Sequence, residues 1–160
     1  NKEFLSGRPI EKSPKMKNFE ILEHKADIKI RVFGSSLEEL FKNAVWAMAQ
    51  ILSAEAAKSE FKIQNLKLKI KVKSADREIL LVDFLNDILG ESQISQAVYP
   101  EVRLIDFQPD GIQGMVYLKA EISGYPIERF DEDIKAVTYN DLIINQSKDG
   151  VWEATILFDV

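Results

Sequence analysis

Val151-Trp152-Glu153-Ala154-Thr155-Ile156-Leu157-Phe158 forms an apolar strand pattern that runs straight into Asp159-Val160. Near the other end of the chain, Glu23-His24-Lys25-Ala26-Asp27-Ile28 leads into a second strand pattern. Asp159 stands beside the α-carboxylate of Val160, so two acidic groups emerge together where a buried strand stops. If the strand that Asp27 opens lies antiparallel to the last one, Asp27 and Asp159 meet at the same sheet end. Hard divalent cations such as calcium or magnesium take several oxygen ligands of this kind. The plainer reading is a frayed, solvated acidic end, the usual state of chain termini.

Working outward, residues 28–33 are rich in β-branched side chains and read as a strand, with Gly34-Ser35 turning the chain. Ser36 and Glu39 make a capping box. Leu37, Leu40, Phe41, Ala44, Val45, Met48, Ile51 and Leu52 follow at helical spacing, with Trp46 on the flank of the stripe. Residues 54–60 read as a polar connector. Residues 66–73 then alternate strictly, Leu66, Leu68, Ile70 and Val72 against Lys67, Lys69, Lys71 and Lys73. One face of that strand is buried and the other carries four ammonium groups. Such a row could meet phosphates or an acidic partner; the simpler account is a solvated face that discourages edge-to-edge pairing.

Asp76 caps a second helix, expected over residues 77–89 and closed by Gly90. Its apolar positions nearly encircle it, leaving Asp83, Asn86 and Asp87 as a polar stripe that either binds a cation or is simply solvated. Strands are expected over 102–107 and 112–122, joined by a turn at Gln108-Pro109-Asp110-Gly111, with Gly124-Tyr125-Pro126 breaking the pairing. Strands over 134–145 and from Val151 onward complete the chain. The order βαβαββββ, helices early and hairpins late, predicts an α+β fold: two helices packed on a mixed, largely antiparallel sheet.

Bulk composition narrows the chemistry. With 160 residues, 46% hydrophobic and 29% charged, the chain suits one domain, expected over 16–160. Residues 1–15 read as a leader or as a remnant of cloning. The absence of Cys excludes disulfides and thiolate zinc sites, and the single His24 excludes any site needing two imidazoles. A formal net charge of -5 argues against strong direct nucleic-acid binding. No apolar run reaches membrane-spanning length and no signal peptide is evident, so the expected location is cytoplasmic.

Five blocks taken together resemble the archease family. Glu23-His24-Lys25-Ala26-Asp27-Ile28 is similar to its E-H-T-A-D-I opening, and Gly34-Ser35-Ser36-Leu37-Glu38-Glu39-Leu40-Phe41 to the start of its first helix. Leu80-Leu81-Val82-Asp83-Phe84-Leu85-Asn86-Asp87-Ile88-Leu89 is similar to its second helix. Ile134-Lys135-Ala136-Val137-Thr138-Tyr139-Asn140-Asp141-Leu142 resembles its V-K-A-V-T-Y-H-D-L block, and Phe158-Asp159-Val160 its terminal F-D-I. The resemblance implies an accessory protein rather than an enzyme: an activator of the RNA ligase that joins 2′,3′-cyclic phosphate to 5′-hydroxyl ends in tRNA splicing and RNA repair. It further implies that guanylylation and multiple turnover of that ligase are promoted. A divalent metal, calcium by the family's pattern, would be held by Asp27, Asp159 and Val160, with His24 and Lys135 as supporting or partner-contacting residues. The chain departs from the family at Lys25, Gln50 and Asn140. The alternative from another class is a small metal-dependent phosphoester hydrolase, against which stands the lack of a nucleophile–base pair or a glycine-rich phosphate cradle.

Overall fold

The computed structural model describes residues 18–24, 27–61, 65–112 and 114–160. The expected leader at 1–15 lies outside them. Eleven elements follow in order. Strands β1 (Phe19–His24) and β2 (Asp27–Gly34) precede helix α1 (Leu37–Leu52) and a 3₁₀ segment (Ala54–Phe61). β3 (Leu66–Ser74), α2 (Arg77–Ser95), β4 (Ala97–Ile112) and β5 (Met115–Pro126) follow. The short strands β6 (Ala136–Thr138) and β7 (Ile144–Gln146) come before β8 (Trp152–Asp159).

The expected class, two helices on largely antiparallel sheet, is what the chain adopts. The strands divide between two sheets, and every described pairing is antiparallel. Sheet A runs β1-β2-β8-β6 with β7 also pairing β8, and sheet B runs β3-β5-β4. Helix α1 touches β2 and β8 on one side and β4 on the other. Six consecutive residues, from Ala44 to Ala49, are therefore buried, which a helix resting on a single surface does not achieve. Phe41 meets Phe107 of β4 edge-on, with ring centroids 5.0 Å apart. Helix α2 packs on the inner face of sheet B and reaches β6.

The capping box forms as the sequence implies. Glu39 N–H donates to Ser36 Oγ at 3.0 Å, while Ser35 N–H donates to Glu39 Oε1 at 2.5 Å. Asp76 likewise accepts from Ile79 N–H at 2.8 Å. Four local expectations fail, one of them the single strand over 134–145, which splits into β6 and β7. Helix α2 does not stop at Gly90; it continues to Ser95, and Gln96 takes the left-handed cap at φ 53°. Its continuation buries Ser92 and lets Gln93 bind the Ile134 carbonyl at 3.0 Å, so tertiary contacts override the glycine signal. The β4–β5 hairpin closes beyond Gly111, at the Ile112↔Met115 pair, and residues 109–111 form a bulge instead of the turn. Gly124 does not break the pairing but lies within β5, where a Cβ would sit 1.8 Å from the Val98 carbonyl oxygen. It is there for close approach.

Candidate metal-binding site

Sheet A brings β2 and β8, far apart in sequence, side by side. β2 and β8 pair in unbroken register from Gly34↔Trp152 to Asp27↔Asp159. Strand alternation sends Ile28, Ile30, Val32, Ala154, Ile156 and Phe158 into the core. Asp27 and Asp159 consequently share the outer face, both exposed. Directly opposed side chains of an antiparallel pair have Cβ atoms roughly 4.5–5.5 Å apart, and like charges there are destabilising. The two carboxylates thus sit within reach of one cation.

On the far side of β8, Ala136 occupies the same row as Asp159. The preceding residue, Lys135, donates its N–H to the Asp159 carbonyl at 2.7 Å. Its Nζ donates to the Val160 oxygen at 3.4 Å, a long contact that nevertheless puts an ammonium beside the acidic row. Val160 itself is half-buried and packs against the core. His24 ends β1 with its backbone opposite Ile28. Its side chain lies outside the described residues, as does the structure of Lys25.

Below the carboxylate pair an open groove of about 240 Å³ is lined by Asp27, Lys29, Asn140, Asp141, Thr155 and Leu157. Asn140 and Asp141 come from the loop between β6 and β7, where Asp141 holds a left-handed φ of 57°. Read as one strand over 134–145, the sequence gives this pair no role. Asn-Asp inside an apolar run was the available signal, since these residues tolerate the left-handed region and favour turns.

The polar stripe of α2 proves to be a clamp on that same segment. Asn86 Nδ2 donates to the Val137 carbonyl and its Oδ1 accepts from Val137 N–H, both at 2.9 Å. Gln93 holds the Ile134 carbonyl, and Glu78 accepts from Ile144 N–H at 3.1 Å. Both Asp83 oxygens are engaged, one by Tyr139 Oη at 2.5 Å and the other by Ser74 Oγ at 2.8 Å. The bond to Asp83, more than burial, raises the Tyr139 phenol above its ordinary pKa. Asp87 remains exposed, and partial burial, then the charges of Asp83 and Glu91, push its carboxyl upward. Helix α2 thereby fixes the backbone that carries Lys135 and the groove wall.

The donor set decides which metals suit the site. Among the described residues no three His, Cys, Asp or Glu side chains gather around one point. Asp27, Asp159 and Val160 can offer oxygen donors only, a chemistry that would suit calcium or magnesium and not a soft thiophilic metal. A set this small leaves positions for outside oxygens. No helix among the described residues is long and apolar enough to cross a membrane.

Comparison with known proteins agrees with this architecture. A model of the archease protein family matches residues 19–160. The chain is 32% identical over 152 residues to the archease of Methanosarcina barkeri, covering 90% of this chain and 97% of that one. It is 32% identical over 152 residues to the archease of Pyrococcus furiosus, covering 91% and 100% respectively. Among solved structures it resembles a Methanobacterium thermoautotrophicum protein at TM-score 0.69 and 23% identity, over 90% of this chain and 99% of that chain. A Thermotoga maritima archease, described as a possible chaperone, aligns at TM-score 0.53 and 17% identity, over 96% and 100%. From the cross-strand carboxylate row to the family-wide match, the features of this chain lead to one assignment: it belongs to the archease family.

Proposed function

We propose that this chain is a metal-dependent accessory protein that activates an RNA ligase joining 2′,3′-cyclic phosphate and 5′-hydroxyl ends, as in tRNA splicing and RNA repair. On this reading it promotes guanylylation of the ligase and its repeated turnover, and performs no bond chemistry alone. The observation that carries the proposal is the in-register pairing of Asp27 with Asp159 beside Val160, in a member of the archease family. These three residues would hold the metal, with calcium the leading choice. When bound, a hard divalent cation supplies concentrated positive charge that can take outside phosphate or carboxylate oxygens.

The protein's own groups do the rest. Asp27 and Asp159 fix two negative charges at one sheet end, where the register leaves neither strand free to slide. Lys135 offsets part of that charge and presents an exposed ammonium to an approaching partner. The α2 clamp keeps the Lys135 backbone in place while the surface above it stays open.

The test is calorimetric titration with calcium, alongside a turnover assay with a cognate ligase. Asp27→Ala should abolish calcium binding and ligase activation while its melting curve stays near that of the parent, since an exposed residue is removed and a like-charge contact relieved. A C-terminal extension, which turns the Val160 carboxylate into a neutral amide, should weaken both; an equally long N-terminal extension should weaken neither. Unchanged calcium affinity in Asp27→Ala would remove that residue from the site. Cleavage of a phosphoester by the chain without ligase would replace the activator reading with the hydrolase.

A further inference from the structure

Sheet B presents a second surface, outside the sheet that carries the carboxylate row. β3 is an edge strand that pairs only with β5 among the described strands, so one row of its backbone N–H and C=O groups is left for an outside partner. Lys67, Lys69, Lys71 and Lys73 are all exposed on its outer face. Lys119 of β5 lies directly opposite Lys71 and thickens the row, with Asp106 of β4 on its far side. None of these five lysines makes an ion pair among the described residues; Glu121, opposite Lys69, pairs instead with Arg103 at 3.3 Å. On the inner face, Ile70 and Val72 are buried, but Leu66 and Leu68 are only half-buried and leave apolar flank uncovered.

From these features we propose that β3 is a docking edge for an extended protein segment that alternates acidic and apolar residues. The segment adds as a further strand of sheet B. Its backbone takes the open hydrogen-bonding row, its carboxylates face the lysines, and its apolar residues cover Leu66 and Leu68. A second copy of this chain does not fit, since pairing β3 with β3 would set two lysine rows together. A nucleic-acid backbone matches the charge but leaves both the open row and the apolar flank unused. Tyr117, opposite Lys73, is the single aromatic residue beside the lysines, where base stacking calls for several.

The experiment uses the full chain and a soluble peptide of alternating Glu and Val, labelled for fluorescence anisotropy. Binding should be saturable and accompanied by slowed hydrogen exchange at the β3 amides. N-methylation of alternate peptide nitrogens should remove it, because the backbone row is then blocked while the charge is kept. Lys69→Glu with Lys71→Glu should weaken binding about tenfold or more, on the order of two cross-strand charge pairs turned repulsive. The melting curve of this variant should match the parent, since both lysines are exposed and what Lys69→Glu loses against Glu121 is offset by what Lys71→Glu gains against Lys119. Failure of the peptide to bind, or equal binding of its N-methylated form, would overturn the proposal. Tighter binding of an oligouridine than of the peptide, abolished by the same variant, would overturn it in favour of a nucleic-acid surface.

Discussion

Replacing Asn86 with alanine isolates the clamp that α2 places on β6. The side chain makes two hydrogen bonds to one residue, donating to the Val137 carbonyl and accepting from Val137 N–H, each at 2.9 Å. A neutral hydrogen bond contributes a net ~0.5–1.5 kcal/mol, so the pair amounts to about 1–3 kcal/mol. Asn86 is only half-buried, and water can reach part of the vacated space, which favours the lower half of that range. For a domain of this size, about 1–2 kcal/mol lowers Tm by roughly 2–8 °C. The local consequence is more specific. β6 is three residues long and has β8 as its strand partner, so loss of the clamp should raise hydrogen exchange at residues 136–138. The β2–β8 register, formed on the other side of β8, should keep its protection. On the function proposed above, ligase activation should fall more than calcium affinity, since Lys135 moves with β6 while Asp27 and Asp159 stay. Hydrogen exchange with β6 unchanged and a Tm within 1 °C of the parent (~0.3 kcal/mol or less) would refute the clamp.

Other substitutions probe the same neighbourhood. Tyr139→Phe removes the bond to Asp83. Because Tyr139 is 54% exposed, the loss should be about 1 kcal/mol or less by chemical denaturation. The raised phenol pKa means that this contribution is fully present below the ordinary tyrosine range and is lost as pH rises through the raised value, so parent and variant should converge at high alkaline pH. Asp87→Asn should stabilise the protein at neutral pH. The carboxyl pKa is raised in the fold, so the folded state binds more protons than the unfolded one and stability falls as pH climbs from the ordinary carboxylate value to the raised one. The advantage of the variant should therefore vanish in melts at acidic pH. Gly124→Ala should cost several kcal/mol or prevent folding, because its Cβ would meet the Val98 carbonyl oxygen at 1.8 Å; a soluble variant with a parental Tm would count against that packing.

Much of this molecule was legible in the sequence where local chemistry and burial agree. Ser36 and Glu39 announced α1 because both capping bonds are local. The alternation from Leu66 onward announced β3 because one of its faces is solvated. β1 escaped notice for the opposite reason: it is an edge strand whose Ile21 and Leu22 remain exposed, so its pattern carries little imprint of a core. Gly90 misled because a helix tolerates glycine when its neighbours are held by tertiary contacts, and no local signal shows Gln93 reaching Ile134. The Asp27–Asp159 juxtaposition was deducible, given an antiparallel pairing, because alternation puts both residues on one face. The α2 clamp was not, since each of its bonds joins residues far apart in sequence.

The place of β8 in sheet A has a kinetic side. β8 is flanked by β2 along one edge and by β6 and β7 along the other, so it closes a sheet whose first strands were synthesised at the opposite end of the chain. Until it inserts, the apolar face of β2 and the side of α1 that rests against it lack their cover. Loop-closure entropy has to be overcome before that long-range pairing is rewarded, which slows folding and prolongs exposure of apolar surface. Assembly of the carboxylate row thus coincides with completion of sheet A, and any ligand that bridges Asp27 and Asp159 would act as a latch, slowing unfolding by holding β2 and β8 together.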